Sequence, residues 1–70
     1  MPARYAAVIQ LHGEWWIGWV EEVPGVNSQG KTREELLDNL RDALEEMLAM
    51  NREAARAAAS GDYEEVSLTP

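Results

Sequence analysis

Pro24-Gly25-Val26-Asn27-Ser28-Gln29-Gly30-Lys31-Thr32-Arg33-Glu34-Glu35 is the stretch that decides the fold. Before it, apolar residues crowd into short strand-like runs; after it, they recur every three to four residues, as along one face of a helix. The stretch itself admits two readings. Gly25 to Thr32 satisfies G-x-x-x-x-G-K-[ST], the loop whose backbone N–H groups cradle phosphates. Alternatively it is a turn followed by a helix cap, with Thr32 and Glu35 spaced as a capping box. Context favours the cap. A phosphate loop sits between a strand that runs straight into it and a parallel sheet whose further strand supplies a metal-binding Asp. Here Pro24-Gly25 breaks the chain before the loop, and Glu64-Glu65-Val66-Ser67-Leu68, the strand-like run after the helix, carries no Asp. No nucleotide or other cofactor is expected.

Working outward toward the N-terminus, Tyr5 to Leu11 reads as one strand and Trp15 to Glu21 as a second, joined by a turn at His12-Gly13-Glu14. Two-residue and three-residue loops are both compatible with this turn, and they give different registers. Alternation within the second strand puts Trp16, Gly18 and Val20 on one face and Trp15, Ile17 and Trp19 on the other. Gly18 leaves room for a close neighbour, so the helix is expected on its face. Val26 to Gln29 is a short third strand near a sheet edge.

Toward the C-terminus, Leu36, Leu37, Leu40, Ala43, Leu44, Met47 and Leu48 form an apolar stripe with helical period, starting at Arg33. Ala49 to Ala59 keeps helix propensity but offers little bulk, so this half is expected to protrude or to rest on another subunit. Ser60-Gly61-Asp62 should stop the helix, with Gly61 in the left-handed position just past its end, and Tyr63 to Thr69 should return as a last strand. The predicted architecture is a single α+β domain over residues 1–70, a small antiparallel sheet with one long helix packed on it, in the order β-β-β-α-β.

Pro24-Gly25, the extended Val26 to Gln29, Gly30-Lys31-Thr32, Arg33-Glu34-Glu35-Leu36 and Asn39 in the second helical turn, after an aromatic hairpin, resemble the HicB-like antitoxin family from Tyr5 to about Leu48. The resemblance implies a partial RNase H-like fold and a function: binding and neutralising a small basic HicA-like mRNA-cleaving toxin. Val26 stands where many family members carry Cys. The DNA-binding module that many members append at their C-terminus is not expected here.

Composition bounds the alternatives. Thirteen Asp and Glu against six Lys and Arg give a net charge of −7, the wrong sign for phosphate backbones and the right one for a basic protein. No cysteine and a single histidine leave neither a disulfide nor a zinc cluster. A domain of this size is marginal without a staple, and one helix covers only one face of a sheet that is apolar on both, so a homo-oligomer, most simply a dimer, is expected. Trp15, Ile17 and Trp19 are its predicted interface. Trp19, Glu21, Glu22, Asp38, Asp42 and Glu46 are the predicted contacts for a toxin. No signal-peptide pattern or apolar run of ~20 residues occurs, so a cytoplasmic location without membrane contact is expected. No triad or carboxylate cluster assembles around His12, Ser28, Ser60 or Ser67, and a non-enzyme is expected. The competing reading is a stand-alone oligomeric module with an unknown ligand.

Overall fold

A computed structural model describes residues 4–68. Three strands, β1 (Ala7–His12), β2 (Trp15–Val20) and β3 (Asn27–Gly30), form an antiparallel sheet in the order β1-β2-β3, followed by one helix, α1 (Arg33–Ala57). The fold is α+β, as the change of period at Gly30 to Thr32 predicts.

The hairpin settles the register left open by the sequence. His12 pairs with Trp15 across a two-residue loop, and Gly13 takes φ +66°. A left-handed glycine at the first loop position is what a type II′ hairpin turn requires. The remaining pairs are Leu11 with Trp16, Gln10 with Ile17, Ile9 with Gly18, Val8 with Trp19 and Ala7 with Val20. Residues directly opposite share a face, so Ala7, Ile9 and Leu11 lie beside Val20, Gly18 and Trp16.

Between β2 and β3 the chain turns at Val23-Pro24-Gly25-Val26. The Val26 N–H donates to the Val23 carbonyl at 3.3 Å and Gly25 adopts φ +92°. Proline before a left-handed glycine is the type II arrangement. Gly25 to Thr32 is thus a turn, an antiparallel edge strand and a cap, with no phosphate cradle among them. The third strand sits one residue later than expected because Val26 belongs to the turn, although its carbonyl still accepts the Val20 N–H.

Thr32 caps α1 with extended backbone (φ −123°, ψ 161°), its Oγ1 accepting the Glu35 N–H at 3.0 Å. Of the two bonds of the capping box, the described residues form this one. Glu34 and Glu35 occupy the first turn and Arg56 the last, each matched to the sign of the helix end it stands at.

The core lies between α1 and the face carrying Trp16, Gly18 and Val20. Leu36 and Leu40 from the helix meet Val20, Val23 and Val26, with Ile9, Trp16, Ala43, Leu44, Met47 and Leu48 packed around them. A Cβ at Gly18 would sit 3.2 Å from Leu40 Cδ1, and one at Gly30 only 2.6 Å from the Leu36 backbone nitrogen. Both glycines are therefore sites of close approach. Asn39 Nδ2 also donates to the Gln29 carbonyl at 2.9 Å, fixing the helix to the edge strand.

Two expectations about the C-terminus are corrected. The helix ends at Ala57, with Ala58 as a right-handed cap whose N–H reaches the Ala54 carbonyl. Gly61 is left-handed (φ +83°) but lies beyond the helix end, in a separate bend. The last strand does not form over residues 63–68; Thr69, its expected end, lies outside the described residues. The reason is reach. The helix carries the chain away from the sheet, and the tail folds back on its own last turns, where Arg56 Nε donates to Glu65 Oε1. That contact holds the Arg56 guanidinium above its ordinary range, first through the hydrogen bond and then through the Glu65 charge.

Candidate functional site

Two surfaces stand out, one on each side of the sheet. The first is the face that α1 leaves uncovered. Alternation along β2 points Trp15, Ile17 and Trp19 away from the helix, and the register sets Val8 beside Trp19, Gln10 beside Ile17 and His12 beside Trp15. On the other flank Asn27 and Gln29 stand beside Trp19 and Ile17. The result is an apolar ridge along the central strand, flanked mostly by neutral polar groups. Trp15 and Trp19 are 42% and 41% exposed. Glu14 and Glu21, both exposed, bracket the ridge along the chain. Lys31 Nζ lies 5.9 Å from the centroid of the Trp15 ring, a cation–π contact worth ~0.5–1 kcal/mol when exposed.

The predicted contact residues are not brought together. Trp19 belongs to the open face, and Glu21 continues its side of the strand. Glu22 is engaged within the chain, its Oε1 accepting the Ala6 N–H at 2.8 Å and tying the start of β1 to the end of β2. Asp38, Asp42 and Glu46 recur every four residues and are exposed. They line the side of α1 opposite Leu36 and Leu40, so the whole helix and sheet separate them from Trp19. Asp38 is already paired with Arg41 at 3.0 Å. The predicted self-association residues Trp15, Ile17 and Trp19, in contrast, form one continuous ridge.

The second surface was not anticipated from the sequence. α1 lies across β3 and β2 and does not approach the backbone of β1. The inner side of β1 is left as the wall of a groove of about 390 Å³, between Tyr5 and Ile9 on one side and Leu37, Leu40 and Leu44 on the other, with Arg33 and Arg41 at its rim. Leu11, on the same side of β1, is 58% exposed. The signal was present in the spacing Arg33, Leu37, Arg41, Leu44, which places two cations and two leucines along one flank of the helix.

Among the described residues no group of three or more His, Cys, Asp or Glu side chains could hold a metal ion, and no helix is long and apolar enough to cross a membrane. His12, exposed at the end of β1, pairs with Trp15 in the ladder.

No curated protein and no solved structure matches this chain. The sequence model of one family does, over residues 2–55, which takes in the whole sheet and all but the last two residues of α1. On that match the chain belongs to the UPF0150-like family.

Proposed function

We propose that this protein is a HicB-like antitoxin module that binds and neutralises a small basic mRNA-cleaving toxin, and that it is itself neither a nuclease nor a nucleic-acid-binding protein. The observation that carries the reading is the open sheet face: a ridge of Trp15, Ile17 and Trp19 on a rigid support, on a chain of net charge −7. Aromatic anchors surrounded by polar groups are the usual centre of a protein contact. The resemblance of Pro24 to Leu36 to HicB-like chains supplies the kind of partner. Glu21 meets the toxin directly at the end of the ridge. Asp38, Asp42 and Glu46, on the far side, act at a distance by raising the rate of encounter with a cation-rich partner. That contribution fades as the screening length falls from about 10 Å at 0.1 M salt to about 3 Å at 1 M.

The test is co-expression with a short basic protein encoded beside this chain's gene, with growth as the readout. Rescue by the wild-type chain and its loss with Trp19→Asp support the proposal. Persistent toxicity with the wild-type chain, or no association of the purified proteins at low salt, rejects it.

The near absence of charge on the ridge favours a second reading, in which two copies pair through this face about a two-fold axis. In that case Trp19→Asp or Ile17→Asp buries a charge at the contact and shifts the mass seen by light scattering toward monomer. An unchanged mass in both variants excludes it.

A further inference from the structure

Among the described residues nothing covers the groove beside β1, and the tail, folded back on the end of α1 through Arg56 and Glu65, leaves Val66 and Leu68 exposed. In an antiparallel sheet successive residues direct their N–H and C=O groups alternately to one neighbour and to the other side. The Glu21 N–H donates to the Ala6 carbonyl, so the even residues of β1 face β2. Ala7, Ile9 and Leu11 therefore present their backbone groups at a free edge, and their side chains lie on the groove side. The tail carries the matching pattern. Val66 and Leu68 share one side of an extended chain, with Glu64 in line with them, and they are 69% and 89% exposed.

We propose that residues 64–68 of one copy add as a fourth strand to the free edge of β1 in a second copy, with Val66 and Leu68 filling the groove against Ile9, Leu37 and Leu44. Charge complementarity supports the match. The tail brings Glu64, on the same side of the strand as Val66 and Leu68, to a groove lined by Arg33 and by Arg41, whose guanidinium also pairs with Asp38. The two arginines stand eight residues apart on α1, toward opposite ends of the groove.

The chain's own groove lies at the limit of the tail's reach. From Leu44 the helix continues 13 residues to Ala57, which is about 20 Å at 1.5 Å per residue. Residues 58–63 span about 20 Å at full extension, and part of that length is consumed in reversing direction at Gly61. Residues 64–68 reach a neighbour's groove without any unwinding of α1. Surface area points the same way. A compact monomer of this mass exposes about 4,400 Å², whereas this chain exposes 5897 Å². The excess exceeds the ~800 Å² that each partner of a stable complex buries.

Light scattering on the full chain at micromolar concentration is expected to give a multiple of 7.8 kDa. The double variant Val66→Asp/Leu68→Asp is expected to give the monomer mass with its helical circular dichroism intact, since both side chains are exposed in the single chain. Trp19→Asp is expected to leave this pairing in place. Because the chain has no cysteine, a disulfide can report the contact directly. A Leu11→Cys chain is mixed under mild oxidation with a Leu68→Cys chain and, separately, with a Glu64→Cys chain. A mixed disulfide is expected in one of the two, and which one gives the strand direction. A monomeric wild type, a mass unchanged by the tail variant, or the absence of a mixed disulfide from both mixtures overturns the proposal. If Trp19→Asp alone yields monomer, the copies pair through the open face instead.

Discussion

The two halves of α1 differ in what holds them helical. Residues 33–48 are capped by Thr32, pinned to β3 through Asn39 and packed along Leu36, Leu40, Ala43, Leu44, Met47 and Leu48. Residues 49–57 are exposed on every side. Both halves are rich in good helix formers, and the second has the better intrinsic propensity through its alanines. A nine-residue helix is nevertheless unstable alone, because the first turn fixes many dihedral angles for one hydrogen bond. The second half is helical because the first half, held by tertiary contacts, has already met that cost. Packing nucleates and propensity extends.

Substitutions can break or sharpen this contrast. The largest effect belongs to Leu36→Ala. Leu36 has 0% exposure at the centre of the core, and a buried leucine truncated to alanine costs about 2–5 kcal/mol. A domain of this size has little more than that in total, so urea unfolding followed by circular dichroism should show both halves of α1 lost together. A helical signal surviving in Leu36→Ala would mean that the far half stands without the core.

Gly30→Ala comes next. Its Cβ would meet the Leu36 nitrogen at 2.6 Å, backbone against backbone, and the forced displacement should cost about 1–3 kcal/mol. Thermal denaturation measures it, and an unchanged midpoint would show that β3 and α1 can separate freely. Thr32→Ala removes the acceptor for the Glu35 N–H and should cost about 1 kcal/mol. Thr32→Ser keeps the oxygen and should stay near wild type. Equal losses in the two would assign the effect to the methyl group and not to the cap.

The smallest effect is expected in the far half. Met50→Ala removes a side chain that is 62% exposed, and surface changes of this kind stay within about 0.5 kcal/mol. Native-state hydrogen exchange, measured at concentrations low enough to keep the chain monomeric, should show amides of residues 51–57 opening well below the global free energy while those near Leu40 track it. Uniform protection along α1 would erase the distinction between the halves.

The order of the first four elements, the helix start at Arg33 and the face of β2 that α1 covers were legible in the sequence. Each is set by a local pattern: the change of period at Gly30, the Thr32 cap and the small Gly18 between Trp16 and Val20. What was not legible depends on where elements sit in space. Residues 63–68 have strand-like composition, but a strand needs an edge within reach, and no local pattern states how far α1 projects. Charge along the chain groups Glu21, Glu22, Asp38, Asp42 and Glu46, and charge alone does not reveal that Trp19 and Asp42 look in opposite directions. The β1 groove escaped because its walls come from residues more than twenty apart. Its one local trace, the run Arg33, Leu37, Arg41, Leu44, was absorbed into a broader apolar stripe.

The three indoles of β2 have an optical consequence. Trp16, half-buried against the core, senses the loss of packing, whereas Trp15 and Trp19 look into solvent from the uncovered face. Intrinsic fluorescence is therefore a composite of two reporters on one strand. A soluble quencher separates them, since it reaches the outward pair and is hindered at the inward ring. Unfolding raises the quenchable fraction, and anything that settles on the open face lowers it. The chain can thus register its own melting and its own occupancy without a label.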